Sequence, residues 1–78
     1  MLLVPFITMD QLRIARYALK LTTREVAAAL GVSAMNLTQI ENGKTNPRAN
    51  TLLKLAEFYE AQGAEFRREG WVRLRPAA

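Results

Sequence analysis

With 11 lysines and arginines against 7 acidic side chains, a net charge of +4 and a pI near 10.1, these 78 residues form one small basic domain. Charge of that sign favours polyanionic partners such as nucleic acid or acidic membrane surfaces, and a core of that size makes self-association an attractive supplement. Half the residues are hydrophobic and 23% charged, a globular composition, while the absence of cysteine and histidine removes disulfides, thiolate chemistry, the usual zinc ligands and the commonest general base. An enzyme, a metal site and a cofactor are therefore not expected, and a cytoplasmic protein is.

Residues 1–7 (MLLVPFI) are apolar but too short for a membrane span, interrupted by Pro5 and without a basic leader, so neither secretion nor membrane insertion is expected. They read equally well as an edge strand or as an unstructured leader, with Met9 resembling a natural start. Residues 1–8 are taken as an N-terminal arm or short strand. Thr8-Met9-Asp10-Gln11 has the spacing of a capping box and predicts a first helix running to about Leu19, with Leu12, Ala15 and Leu19 inward and Arg13, Tyr17 and Lys20 outward. Thr22-Thr23-Arg24-Glu25 repeats the box and opens a second helix with Val26, Ala27 and Leu30 inward; Gly31 stops it and Val32 plugs the corner.

Ser33 caps a third helix that carries Leu37 and Ile40 inward and ends at Asn42-Gly43. A basic, turn-rich loop, KTNPR, follows. A fourth helix, capped by Asn50 or a neighbour, carries Leu52, Leu55, Ala56 and Tyr59 inward and ends at Gly63. From Ala64 the period changes to two. Residues 64–76 are expected to form a β-hairpin with Phe66, Val72 and Leu74 on one face, Trp71, Arg73 and Arg75 on the other, and the turn at Glu69-Gly70. The expected fold is mainly α, with the helical domain at residues 9–63 and the hairpin as its dimerisation element.

Residues 23–42 (TREVAAALGVSAMNLTQIEN) are the centre of this plan. A helix lies in the DNA major groove only when a second element holds it at a fixed angle, and a short glycine-containing turn does so. Here Ala27 is small enough for a helix crossing, Gly31 turns the chain, and Val32, Leu37 and Ile40 bury the back of helix 3. The front keeps Ala34, Met35, Asn36, Thr38 and Gln39. Asn36 or Gln39 suits the N6 and N7 atoms of adenine, and Ala34 and Met35 suit a thymine methyl. No arginine or lysine sits there for guanine, so A·T-weighted half-sites are expected.

From about Leu12 to Ala61 the chain resembles the XRE/Cro-like helix-turn-helix family, the fold of the lambda-type phage repressors, through LRIAR, LTTREVAAALGVS, IENGKTNP and TLLKLAEFYEAQG. The resemblance implies four or five short helices, here with a C-terminal hairpin. It implies base-reading positions at Ala34, Met35, Asn36 and Gln39. Thr23, where the family often has Gln, is implied to hold a phosphate, and Ser33 to approach the backbone and groove wall. Asn42, Lys44 and Thr45 are implied to grip further phosphates, and Arg24 and Thr38 join this backbone set. Arg16 and Glu41 match a family pair that bridges helices 1 and 3.

One helix reads few base pairs, so a homodimer on a palindromic site with half-sites about 34 Å apart is expected. Phe58, Phe66, Trp71, Val72 and Leu74 are the candidate dimer residues. The expected partner is double-stranded DNA, with no membrane and no small-molecule effector. The expected role is a phage, mobile-element or controller-type repressor, with an antitoxin or protein-interaction module as the alternative. The hairpin arginines (Arg67, Arg68, Arg73 and Arg75) read first as a charged edge that discourages aggregation and second as a DNA-contacting wing.

Overall fold

The computed structural model describes residues 7–75. Among them are four helices and a hairpin: α1 Met9–Ala18, α2 Thr23–Leu30, α3 Ala34–Glu41, α4 Ala49–Ala61, β1 Ala64–Phe66 and β2 Val72–Leu74. Residues 1–6, where the N-terminal arm was expected, lie outside the described residues; Ile7 is buried in the core. No helix among the described residues is long and apolar enough to cross a membrane.

Local chemistry sets each boundary. Thr8 and Gln11 form a complete capping box, as do Thr22 and Glu25, each pairing a hydroxyl with one orphan N–H and a longer side chain with the other. The carboxylate of Glu25 accepts from the Thr22 backbone, which holds its pKa below the usual value. Ser33 caps α3 through the Asn36 N–H at 3.0 Å. Gly31, at φ +72°, closes α2: its own N–H and that of Val32 bond back to Ala28 and Ala27. The same closure ends α1, where Lys20 and Leu21 bond back to Tyr17 and Arg16, but the left-handed position there belongs to Lys20 (φ +59°) rather than to a glycine.

α1 ends at Ala18 with Leu19 as its cap, where its end was expected. Asn50 does not cap α4: Pro47 holds the chain extended, Arg48 takes the cap position at ψ 151° without a side-chain bond, and Asn50 falls inside the first turn.

The core gathers one face from every element: Leu12 and Ala15 of α1, Val26 of α2, Leu37 and Ile40 of α3, Leu55, Ala56 and Tyr59 of α4, and Ala64 and Phe66 of β1. Tyr59 is fully buried, stacked edge-on against Phe58 and tilted against Phe66. Its hydroxyl has no hydrogen-bond partner among the described residues, and burial, with the nearby Glu41 charge, pushes its pKa far up. The antiparallel hairpin pairs Ala64 with Leu74, Glu65 with Arg73 and Phe66 with Val72. Its turn is longer than Glu69-Gly70, closing with bonds from Gly70 to Arg67 and from Arg67 to Trp71.

Gln11 joins the two ends of the domain. It is fully buried, and beyond its cap bond its Nε2 donates to the carbonyl oxygens of Arg67 (2.7 Å) and Trp71 (3.3 Å). The turn of the hairpin is thereby tied to the first turn of α1.

Candidate nucleic-acid interface

The turn at Gly31 sets α2 and α3 against each other, and α3 divides sharply into two faces. Leu37, Ile40 and Glu41 are buried behind it. Met35, the most exposed large apolar side chain at 71%, lies in front with the exposed Asn36 and Thr38, flanked by the half-buried Ala34 and Gln39. These four base-reading candidates therefore share one short helix. Thr38 is less free than its exposure suggests, because its hydroxyl donates to the Ala34 carbonyl at 3.0 Å. Ser33 accepts the Asn36 N–H and keeps its own proton available for an anion.

The backbone-contact candidates lie on both sides of α3 in sequence. Thr23 is half-buried and Arg24 exposed at the start of α2; Asn42, Lys44 and Thr45 are exposed beyond the end of α3. A shallow cleft of about 230 Å³ runs between α3 and the following loop, bringing Asn36 and Ile40 together with Thr45, Asn46, Arg48 and Thr51. Asn46 and Arg48 fall within the loop at residues 44–48, expected as a whole to grip phosphates, while Thr51 of α4 carries no such expectation. The basic loop KTNPR pointed to this neighbourhood, but only the folded chain shows which of its side chains line the cleft with Asn36.

Behind the face, Arg16 of α1 grips Glu41 of α3 through two bonds, Nε to Oε2 at 2.7 Å and Nη2 to Oε1 at 2.9 Å, while Nη1 donates to the Leu21 carbonyl at 3.1 Å. Both side chains are at most a tenth exposed. The bond to Glu41 raises the Arg16 pKa against the opposing effect of burial, so the guanidinium stays charged. One planar group thus fixes α1, the turn after it and the last turn of α3. A helix held at such a point can present its front to a ligand without reorganising.

Of the dimer candidates, Phe66 is 6% exposed and belongs to the core of its own chain, so it offers no surface to a second copy. Phe58 and Val72 are half-buried against that core, while Trp71 (48%) and Leu74 (42%) remain exposed. Arg67 lies over the Trp71 ring, 5.3 Å from its centre.

Residues 10–68 match the family model of the helix-turn-helix domain. The HTH-type transcriptional repressor RghR of Bacillus subtilis (strain 168) is 47% identical over 49 residues, which is 62% of this chain and 36% of that protein. This chain thus spans little more than a third of the length of that relative. No solved structure matches it. The matched residues take in all four helices, including the α2–α3 turn and the outward face of α3, and on that ground the chain belongs to the helix-turn-helix domain family.

Proposed function

We propose that this chain is a sequence-specific double-stranded DNA-binding regulator of transcription, acting as a repressor and binding a palindromic operator as a homodimer. The observation that carries the reading is the front of α3. An eight-residue helix, buried behind by Leu37, Ile40 and Glu41, presents Met35, Asn36 and Gln39 outward on one short stretch. Side chains of that chemistry match the major-groove edges of A·T pairs, and exposed cations at Arg24 and Lys44 suit the phosphates on either side. The repressor named among the relatives supports the sign of regulation. The homodimer rests on economy: two symmetry-related readers double the site read by one short helix.

Selection of bound sites from a random DNA pool tests the reading directly. The expected product is an A·T-weighted palindrome with half-sites about one helical turn, roughly 34 Å, apart. Failure to enrich any sequence, with affinity indifferent to salt, would overturn it; a chain neutralising roughly 6–10 phosphates loses about 10³–10⁵ in affinity between 50 and 200 mM salt.

A further inference from the structure

Among the described residues nothing pairs with the outer edge of β2, and its sequence restricts what can pair there. The bonds from Arg67 to Trp71 (2.9 Å) and from Arg75 to Gly63 (2.7 Å) mark the hydrogen-bonded positions of the ladder, so by alternation Glu65 and Arg73 are also such a pair. Val72 and Leu74 therefore turn their backbone N–H and C=O groups away from β1, toward the outer edge of β2. Among the described residues no hydrogen bond reaches those outward groups. β1 is the buried strand of the pair and β2 the exposed one.

We propose that the outer edge of β2 receives a second copy of this chain, antiparallel, about a two-fold axis passing through Val72. This deepens the homodimer of the proposed function and rests on it, adding a surface and a register. Two-fold pairing that keeps the inward faces of both hairpins on the same side permits centres at Val72, Arg73 or Leu74, because side chains alternate along a strand. Centred at Arg73, the pairing sets that residue against the partner's Arg73. Centred at Leu74, it sets Arg73 against the partner's Arg75, twice. Like charges directly opposite are destabilising, so both are disfavoured.

Centred at Val72, the same strand becomes complementary to itself. Trp71 faces the partner's Arg73, twice, at the non-hydrogen-bonded positions where cross-strand side chains come closest. The ring already accepts Arg67 at 5.3 Å and is 48% exposed, so it has surface left for a second cation. Glu69 lies in the turn, outside the paired strand, and the Arg75 guanidinium donates to the Glu60 carbonyl of its own chain, so neither enters this pairing. Arg73, which opposes pairing in the other two registers, favours it in this one.

The test uses the full chain, which has no cysteine of its own. In the proposed register Val72 and the partner's Val72 form a hydrogen-bonded pair with Cα atoms about 5.5 Å apart, within disulfide range, whereas Arg73 and the partner's Arg73 are offset diagonally, at roughly 7–8 Å or more. Under mild oxidation Val72→Cys is expected to form covalent dimers at least tenfold faster than Arg73→Cys, as a rough estimate from that geometry. Equal or faster cross-linking at position 73 overturns the register.

Sedimentation supplies a second measurement that does not depend on a cysteine. Trp71→Arg is expected to weaken self-association roughly fivefold by setting like charges opposite each other twice, whereas Trp71→Phe retains it. No weakening in Trp71→Arg, or a wild-type chain that stays monomeric, overturns the proposal. Site selection from random DNA reads the proposed function separately, so the failure of one is distinguishable from the failure of the other.

Discussion

Gln11 and Arg67 stand 56 residues apart in sequence, yet the Gln11 amide donates to the Arg67 carbonyl at 2.7 Å from a fully buried position. This bond, with its 3.3 Å companion to Trp71, ties the hairpin turn to the start of α1. Gln11→Leu removes both bonds and the cap bond to the Thr8 N–H, while the Arg67 and Trp71 carbonyls keep the Gly70 and Arg67 N–H groups as partners, so the expected cost is about 0.5–1.5 kcal/mol. The loss is expected to appear first in the hairpin. The emission of Trp71, the one tryptophan, should report hairpin loosening in denaturant before helical circular dichroism falls. Coincident transitions by both probes, at wild-type stability, would show that the tie contributes nothing.

The Arg16–Glu41 fork gives a sharper prediction because neither partner can relax into water. Glu41→Ala leaves the buried Arg16 guanidinium without its carboxylate, held by the Leu21 carbonyl and the Tyr17 ring 4.6 Å away, and stability is expected to fall by about 3–5 kcal/mol. Replacing both residues by apolar side chains of similar volume should recover most of that loss, since a buried pair contributes little net stability beyond its desolvation cost. Thermal melts of the two variants check this, and an unchanged melting temperature in Glu41→Ala would sink it.

Tyr59 presents the opposite case. Its hydroxyl is buried without a partner among the described residues, so Tyr59→Phe removes an unsatisfied polar atom while preserving the ring contacts with Phe58 and Phe66. The expected change is neutral to stabilising, within about 1 kcal/mol. A destabilisation beyond that, read from urea unfolding, would mean the oxygen is bonded in solution, for instance to an internal water.

How much of this was legible in sequence follows the range of each interaction. The capping boxes at Thr8 and Thr22, the Ser33 cap and the Gly31 turn are contained within a few residues, and each is found where its pattern predicts. Gln11 was legible only as a cap residue, because nothing near it in the chain indicates that its free amide hydrogens meet carbonyls across the domain. Phe66 carried the alternating pattern of a hairpin face, but whether that face meets its own core or another chain depends on where α4 lies. At the start of α4 the expectation left the cap open between Asn50 and its neighbours, and Arg48, two residues earlier, takes it without a side-chain bond that a local pattern could have signalled. On α3 the division into buried and exposed faces was legible, while the cleft joining Asn36 to Arg48 needed the loop to fold back.

Lys20 escaped notice because the closing position of such a helix end favours glycine. A lysine at φ +59° carries backbone strain that Lys20→Gly relieves, partly offset by the greater freedom of glycine in the unfolded chain. A net gain of about 0.5–1 kcal/mol is expected in chemical denaturation. A loss of stability would show that the exposed lysine makes a compensating contact.

The last prediction separates reading from gripping on the proposed interface. Gln39 lies on the front of α3, half-buried, with an amide able to bond two atoms of one adenine, whereas Lys44 is an exposed point charge beyond the helix end. Gln39→Ala is therefore expected to cost about 1–3 kcal/mol on the selected operator and relax preference at a single base position, with little effect on scrambled DNA. Lys44→Ala should weaken binding to all sequences alike and lower the salt slope by about one, since one phosphate contact is lost. Titrating both variants against operator and scrambled duplexes at several salt concentrations distinguishes the two roles. Indistinguishable losses on both duplexes would show that α3 and the loop act together as one electrostatic surface rather than as reader and anchor.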